Sequence, residues 1–198
     1  MLKRPLARLV GLTALGFSAL YLLSDVIEAI QGGFSDGQLW LTLVAEAAIP
    51  VFVLGLYRVQ RPQIGRLGQL SAVAYAYSYV YFTGTVIFAL LNETSDYSTL
   101  SHALQPAMTI HGAIMVFAGL GFGVAAFRAG VMPRWTSVAL MAGVILVALS
   151  QSMPEGAQVV AASVRDLGFA GMGAAVLRSP HQLMSLRPHA VHDLAAER

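Results

Sequence analysis

The chain has 198 residues, of which 57% are hydrophobic and 11% charged, with a formal net charge of +2. Water-soluble domains carry roughly 25% charged residues, so this composition excludes an ordinary soluble globule, a disordered chain and a coiled coil, and it leaves no basic surface for nucleic acid. Cysteine is absent, which excludes disulfides, thiolate metal sites, iron–sulfur clusters and thiol redox chemistry.

A membrane-crossing helix needs about 20 mostly apolar residues. Six segments qualify, over residues 9–30, 39–57, 67–91, 104–127, 135–153 and 157–177. Breakers separate them: Gly32, Gly33, Pro62, Pro106, Pro133 and Pro154. Lipid offers no partner for open backbone N–H and C=O groups, so the segments are expected to be helices. Tyr75, Tyr77, Tyr79 and Tyr81 alternate as in a strand, but the adjoining residues 86–91 are continuously apolar, and a helix is the better reading. The expected fold is all-α, an integral membrane bundle of six transmembrane helices forming one domain over residues 1–178. A polar cytoplasmic tail follows at 179–198. His181, His189 and His192 in that tail lack close ligand spacing and read as solvated side chains.

The basic residues orient the bundle. Lys3, Arg4 and Arg8 precede the first span, Arg58, Arg61 and Arg66 lie between the second and third, Arg128 and Arg134 between the fourth and fifth, and Arg178, Arg187 and Arg198 follow the sixth. The other three connections contain Asp36, Glu93, Asp96 and Glu155 but no Lys or Arg. Positive charge marks the cytoplasmic side, so both termini are expected in the cytoplasm. Lys3 and Arg4 could open a secretory signal, but the apolar run exceeds signal-peptide length and leads into Asp25 and Glu28. Arginine far outnumbers lysine, and Ala, Gly, Leu and Val are abundant, as in GC-rich bacterial genomes. The expected location is a bacterial plasma membrane, with the lipid bilayer as the first partner.

Each ionisable side chain inside a span costs about 2.5–3.5 kcal/mol on insertion scales, which makes it a functional candidate. Asp25, Glu28, Glu46, Arg165 and Asp166 are such residues, and His111 is a weaker sixth. Asp25 and Glu28 fall near the outer end of the first span. Glu46 and His111 each lie seven residues into an inward-running span, about 10 Å deep. Arg165 and Asp166 lie near mid-membrane, and Ser150 and Gln151 end the fifth span on the outer side. Ser18, Tyr21, Asp25 and Glu28 share one helix face. Arg165 and Asp166 project about 100° apart and are expected to neutralise each other poorly, sending Arg165 across to Asp25, Glu28 or Glu46. Tyr75 and Tyr79 share one side of their helix and Tyr77 and Tyr81 the other; by depth, Tyr81 is expected nearest the acids. Pro50 is expected to weaken the helix beside Glu46. Gly119 and Gly123 permit close helix approach, within the bundle or between copies in a homo-oligomer.

The residues present exclude several chemistries. Bis-histidine haem and histidine-rich di-iron sites need more intramembrane histidines than His111, and a retinal Schiff base needs an intramembrane lysine where Lys3 is the only lysine. No phosphate-binding loop or nucleophile elbow is present, and no cofactor or metal is implied. Four acids facing one arginine in low dielectric call for bound protons, a cationic His111 or a bound cation. The leading expectation is an outward-facing polar pocket, linked to protons or cations, that binds a small or amphipathic ligand for transport or sensing. In it Glu46 and Asp166 hold the proton or cation, Asp25 and Glu28 line the mouth, Arg165 is the counter-charge and His111 the proton partner, with Tyr21, Tyr81 and Gln151 beside them. An intramembrane acid–base enzyme of isomerase or cyclase type, with Tyr and Trp40 faces against a carbocation, is the alternative. A structural or accessory subunit whose charges only dock helices is another.

Phe122 and Gly123, the run Phe127, Arg128, Ala129, Gly130, Val131, Met132, Pro133, Arg134 and Trp135, and the later Gly143 resemble a pattern in small polytopic membrane proteins of bacteria, actinobacteria especially. Gly168, Phe169, Ala170, Gly171, Met172 and Gly173 are similar to the last span of those proteins. The resemblance covers mainly residues 112–178 and implies a multi-helix membrane protein of unknown activity. It assigns no functional residue.

Overall fold

The computed structural model describes residues 4–178; residues 1–3 and the proposed tail, with His181, His189 and His192, lie outside the described residues. Among the described residues the chain is all-helical: α1 (Arg4–Gln31), α2 (Asp36–Val59), α3 (Gly65–Leu91), α4 (Tyr97–Ala103), α5 (Ala107–Ala129), α6 (Arg134–Ser150) and α7 (Glu155–Arg178). Five of these, α1, α2, α3, α5 and α7, are long and apolar enough to cross a membrane, whereas α6 is apolar but has 17 residues.

Two boundaries differ from expectation. The segment over 104–127 does not begin at Leu104: α4 ends there, Pro106 caps α5, and a separate seven-residue helix precedes it. Proline has no N–H with which to continue the α4 ladder. The segment over 135–153 stops at Ser150, where a turn closes with Met153 N donating to Ser150 O at 2.8 Å. Pro154 disfavours helical backbone at Met153. Pro50, by contrast, does not end α2, which runs on to Val59.

The long helices form a closed ring with α6. Each packs on its chain neighbours, α3 meets α5 across the short α4, and α1 closes on α7. Glycines set the close approaches. A Cβ at Gly168 would lie 2.6 Å from Leu140 N, one at Gly173 2.7 Å from Gly11 O, and one at Gly143 would collide with the Arg165 backbone. A Cβ at Gly119 would stand 2.9 Å from Val144 and 3.0 Å from Tyr75, and one at Gly123 would run into Met141. Both glycines are buried and serve packing within the chain, the first of the two uses their spacing allows.

Gly11, early in α1, faces Gly173 and Leu177, late in α7, so the two ends of the described chain lie together. Exposed Arg8, Arg58, Arg61, Arg66, Arg128, Arg134 and Arg178 belong to that end of the ring. The connections rich in acid lie at the other. Large apolar side chains such as Leu12, Val51, Leu70 and Val80 point outward, consistent with a helical membrane bundle. Inside the basic end the ring is filled by Phe52, Tyr75, Phe122, Leu140, Phe169 and Met172, with Phe169 centroids 5.3 Å from Phe52 and 5.7 Å from Tyr75. Toward the acidic end the filling stops and a cavity begins.

Candidate functional site

The cavity has a volume of about 670 Å³, within the range of small-molecule sites. Tyr21, Asp25 and Glu28 of α1 and Gln38, Thr42 and Glu46 of α2 form its polar wall. Their spacings of three or four residues put each set on one helix face. Gln38 organises the upper part. The two N–H bonds of its Nε2 are shared among Ser24 Oγ at 3.1 Å, Thr42 Oγ1 at 3.0 Å and Glu28 Oε2 at 3.2 Å. The hydroxyls of Ser24 and Thr42 also bond to each other. Deeper down, Tyr21 Oη donates to Glu46 Oε1 at 3.0 Å.

Arg165 of α7 closes the deep end. It is 4% exposed. Its Nε donates to Asp166 Oδ1 at 2.9 Å and its Nη1 to Tyr79 Oη at 3.1 Å, while its guanidinium lies 4.9 Å from the centroid of the Tyr21 ring. This corrects the expected geometry. The Cβ atoms of Arg165 and Asp166 do diverge, but the long arginine side chain folds back along the helix surface to reach its neighbour. Its contact across the ring is a tyrosine hydroxyl rather than an acid.

Several polar atoms are left over at this depth, Asp166 Oδ2 and Tyr75 Oη behind the lining and two on the lining residues themselves. Glu46, 5% exposed, has no partner for Oε2, and Arg165 has none for Nη2. Buried polar atoms in folded proteins are nearly all satisfied, and both of these residues line the cavity. The third wall is different in kind. Phe82 and Val86 of α3, Met108, Met115 and Val116 of α5, and Val147 of α6 are apolar. Between the upper halves of α5 and α6 this wall is thin: a Cβ at Gly112 would meet nothing within 4 Å, Ala113 and Ala148 are exposed, and Phe117 is 76% exposed.

The cavity gathers five of the nine expected site residues in its lining besides Arg165 and its neighbour: Tyr21, Asp25, Glu28, Glu46 and Gln151. Gln151 stands at the mouth, where its Oε1 accepts from Tyr97 Oη at 3.2 Å. Asp166 is buried behind Arg165 and touches the cavity only through it. His111 and Tyr81 are not in the lining. Their rings stack at 3.7 Å on a different face, with His111 Nε2 3.1 Å from Tyr77 Oη and Nδ1 donating to Ala107 O at 2.9 Å. Depth alone placed them near the acids; rotation about the helix axis carries them away. Tyr79, on the inward face with Tyr75, takes the place expected of Tyr81.

The sequence alone did not single out Gln38, Thr42 and Tyr97, and it marked Tyr79 only as sharing a helix side with Tyr75. A signal existed for the first two, since Gln38, Thr42 and Glu46 recur every four residues along α2. Among the described residues no group of histidine and carboxylate side chains could hold a metal. The lining offers carboxyl groups for protons or cations, one guanidinium and tyrosine hydroxyls. Comparison with protein-family models, with curated proteins and with solved structures gives no match.

Proposed function

We propose that this is a multi-pass protein of a bacterial plasma membrane, crossing six times with both termini in the cytoplasm, whose cavity opens outward. The cavity binds a small or amphipathic ligand in a proton- or cation-linked step of transport or sensing. The even ring supports the topology, because it sets every exposed arginine of the connections at one end and the cavity mouth at the other. The observation that carries the function is the meeting of Glu46 and Arg165 in one 670 Å³ chamber, each with a buried polar atom that no protein group satisfies. A purely structural role for the charges has less support. The ion pair joins neighbours on a single helix, and although Arg165 also ties α7 to Tyr79 of α3 and to the Tyr21 ring of α1, neither contact uses Glu46 Oε2 or Arg165 Nη2.

The titratable groups facing the chamber are Tyr21, Asp25 and Glu28 on α1, Glu46 on α2, Tyr79 on α3, Tyr97 on α4 and Arg165, backed by Asp166, on α7. Two measurements test the reading on a chain with no native cysteine. A membrane-impermeant maleimide should label Ser101→Cys, in the cavity lining, from the outside of intact cells. Thermal stability of the purified wild type should vary with pH across the neutral range, and Glu46→Gln and Asp25→Asn should flatten that variation. Labelling only from the cytoplasmic side, or a flat wild-type profile, would remove the basis of the proposal.

A further inference from the structure

We propose that the ligand is a lipophilic organic cation, its charge held against the α1–α2 wall and its apolar body against α3, α5 and α6. The inference rests on the ligand-pocket reading and adds the sign and character of the ligand.

The charges of the chamber do not balance. Arg165 is matched by Asp166, whose Oδ1 is 2.9 Å away. Beside Glu28, which Gln38 Nε2 engages, the lining then presents Asp25 and Glu46, and no lysine or second arginine. An anion entering this space could reach Arg165 Nη2, but it would stand beside Asp25 and Glu46 with the guanidinium already compensated. A cation meets the opposite situation. Glu46 Oε2 lacks a protein partner at 5% exposure, and a carboxylate oxygen is an acceptor that suits an ammonium or another positive centre. Phe34 and Tyr97 add aromatic rings to the lining, and ring faces attract cations once water is excluded.

The body of the ligand is read from the other wall. A site for a small hydrated ion would be polar all round. Here the α3–α5–α6 side is mainly apolar, with Thr85 and Thr109 among its few hydroxyls, and the lining residues Ala113, Phe117 and Ala148 are themselves exposed beside the apolar outer face of the bundle. A molecule dissolved in the outer leaflet would present its hydrocarbon part to that side and its charge to the acids beyond.

Two ions of nearly the same shape and opposite charge separate the alternatives: tetraphenylphosphonium and tetraphenylborate. Equilibrium dialysis uses the full chain in lipid nanodiscs, with empty nanodiscs as the blank. Saturable binding of tetraphenylphosphonium is expected, weakened about tenfold or more by Glu46→Gln and by Asp25→Asn. Tetraphenylborate should show no saturable component, and tetramethylammonium, which lacks the apolar body, should bind far more weakly. Preferential binding of tetraphenylborate, or phosphonium affinity unchanged in both variants, overturns the inference. So does absence of saturable binding by either ion. In that event the outward ligand pocket is still judged separately by the labelling of Ser101→Cys. Should Glu46→Gln fail to fold, as judged by elution and thermal transition, Asp25→Asn at the half-buried rim carries the comparison.

Discussion

Arg165 is held from three sides. Its guanidinium contacts Asp166, Tyr79 and the face of Tyr21 while almost wholly buried. Removing one member of a buried pair leaves the other charge uncompensated, at a cost of about 3–5 kcal/mol. Arg165→Met is therefore expected to destabilise the protein by that amount in thermal unfolding in detergent, and Arg165→Met combined with Asp166→Leu should recover most of the loss. A single variant as stable as the wild type would mean that water reaches Asp166. The pairing was hidden in the sequence because arginine has a long, flexible stem, and helix geometry fixes only where its Cβ points. At the other extreme of exposure, Asp96 caps α4: its Oδ1 accepts from Thr99 N at 2.8 Å, and its Oδ2 from Ser95 Oγ at 2.6 Å. The Ser95 hydroxyl, and then the Thr99 amide, hold the Asp96 carboxyl below its ordinary range. A lowered pKa in the folded state means that the cap's contribution is complete above the ordinary carboxylate pKa and is lost as pH falls through the lowered value. Asp96→Ala should speed amide exchange at Thr99 and Leu100 by about fivefold near neutrality. The difference from wild type should shrink in acid.

Among the helices, glycine placement separates seams from openings. Gly168 and Gly143 let α6 and α7 touch almost backbone to backbone, whereas Gly112 on α5 faces open space. Gly168→Ala must push Leu140 away and should cost about 1–3 kcal/mol, the range for overpacking a tight contact. Gly112→Ala should be neutral or mildly stabilising, because alanine favours the helix and nothing blocks its methyl. Equal thermal shifts in the two variants would contradict the packing described. Long elements were legible in the sequence because apolar runs of membrane length have few other solutions. The polar face of Tyr21, Asp25 and Glu28 was legible for a similar reason, since a three-and-four spacing names a helix face by itself. What was not legible is rotation of one helix against its neighbours. Depth could be reckoned for Tyr81 and His111, but whether they faced inward depended on packing partners far away in the chain. The short α4 was left within the connection between two spans because seven residues leave too little periodicity to mark a separate helix.

For the molecule as a whole, parity is the controlling property. Six helices in a closed ring of antiparallel neighbours bring the first against the last with opposite directions, as the seam between Gly11 and Gly173 requires. Were α6 to lie along the membrane surface, the ring would lose a member and the exposed arginines would no longer share an end. The difficulty is length: 17 residues rise about 25 Å, against a hydrocarbon core of about 30 Å. Such a deficit is met by local thinning and by flanking residues that reach the interface. Arg134 and Trp135, both exposed at the start of α6, are suited to that role, and Arg134 also lies 5.3 Å from the Phe127 ring centroid. Single cysteines at Gln63, Ser98 and Ser152 decide the matter. With six crossings, an impermeant reagent outside intact cells should label Ser98→Cys and Ser152→Cys and spare Gln63→Cys until the membrane is opened. Protection of Ser152→Cys alongside Gln63→Cys would put both ends of α6 on one side. The cavity mouth, which needs Gln151 beside Tyr97, could not then exist as described.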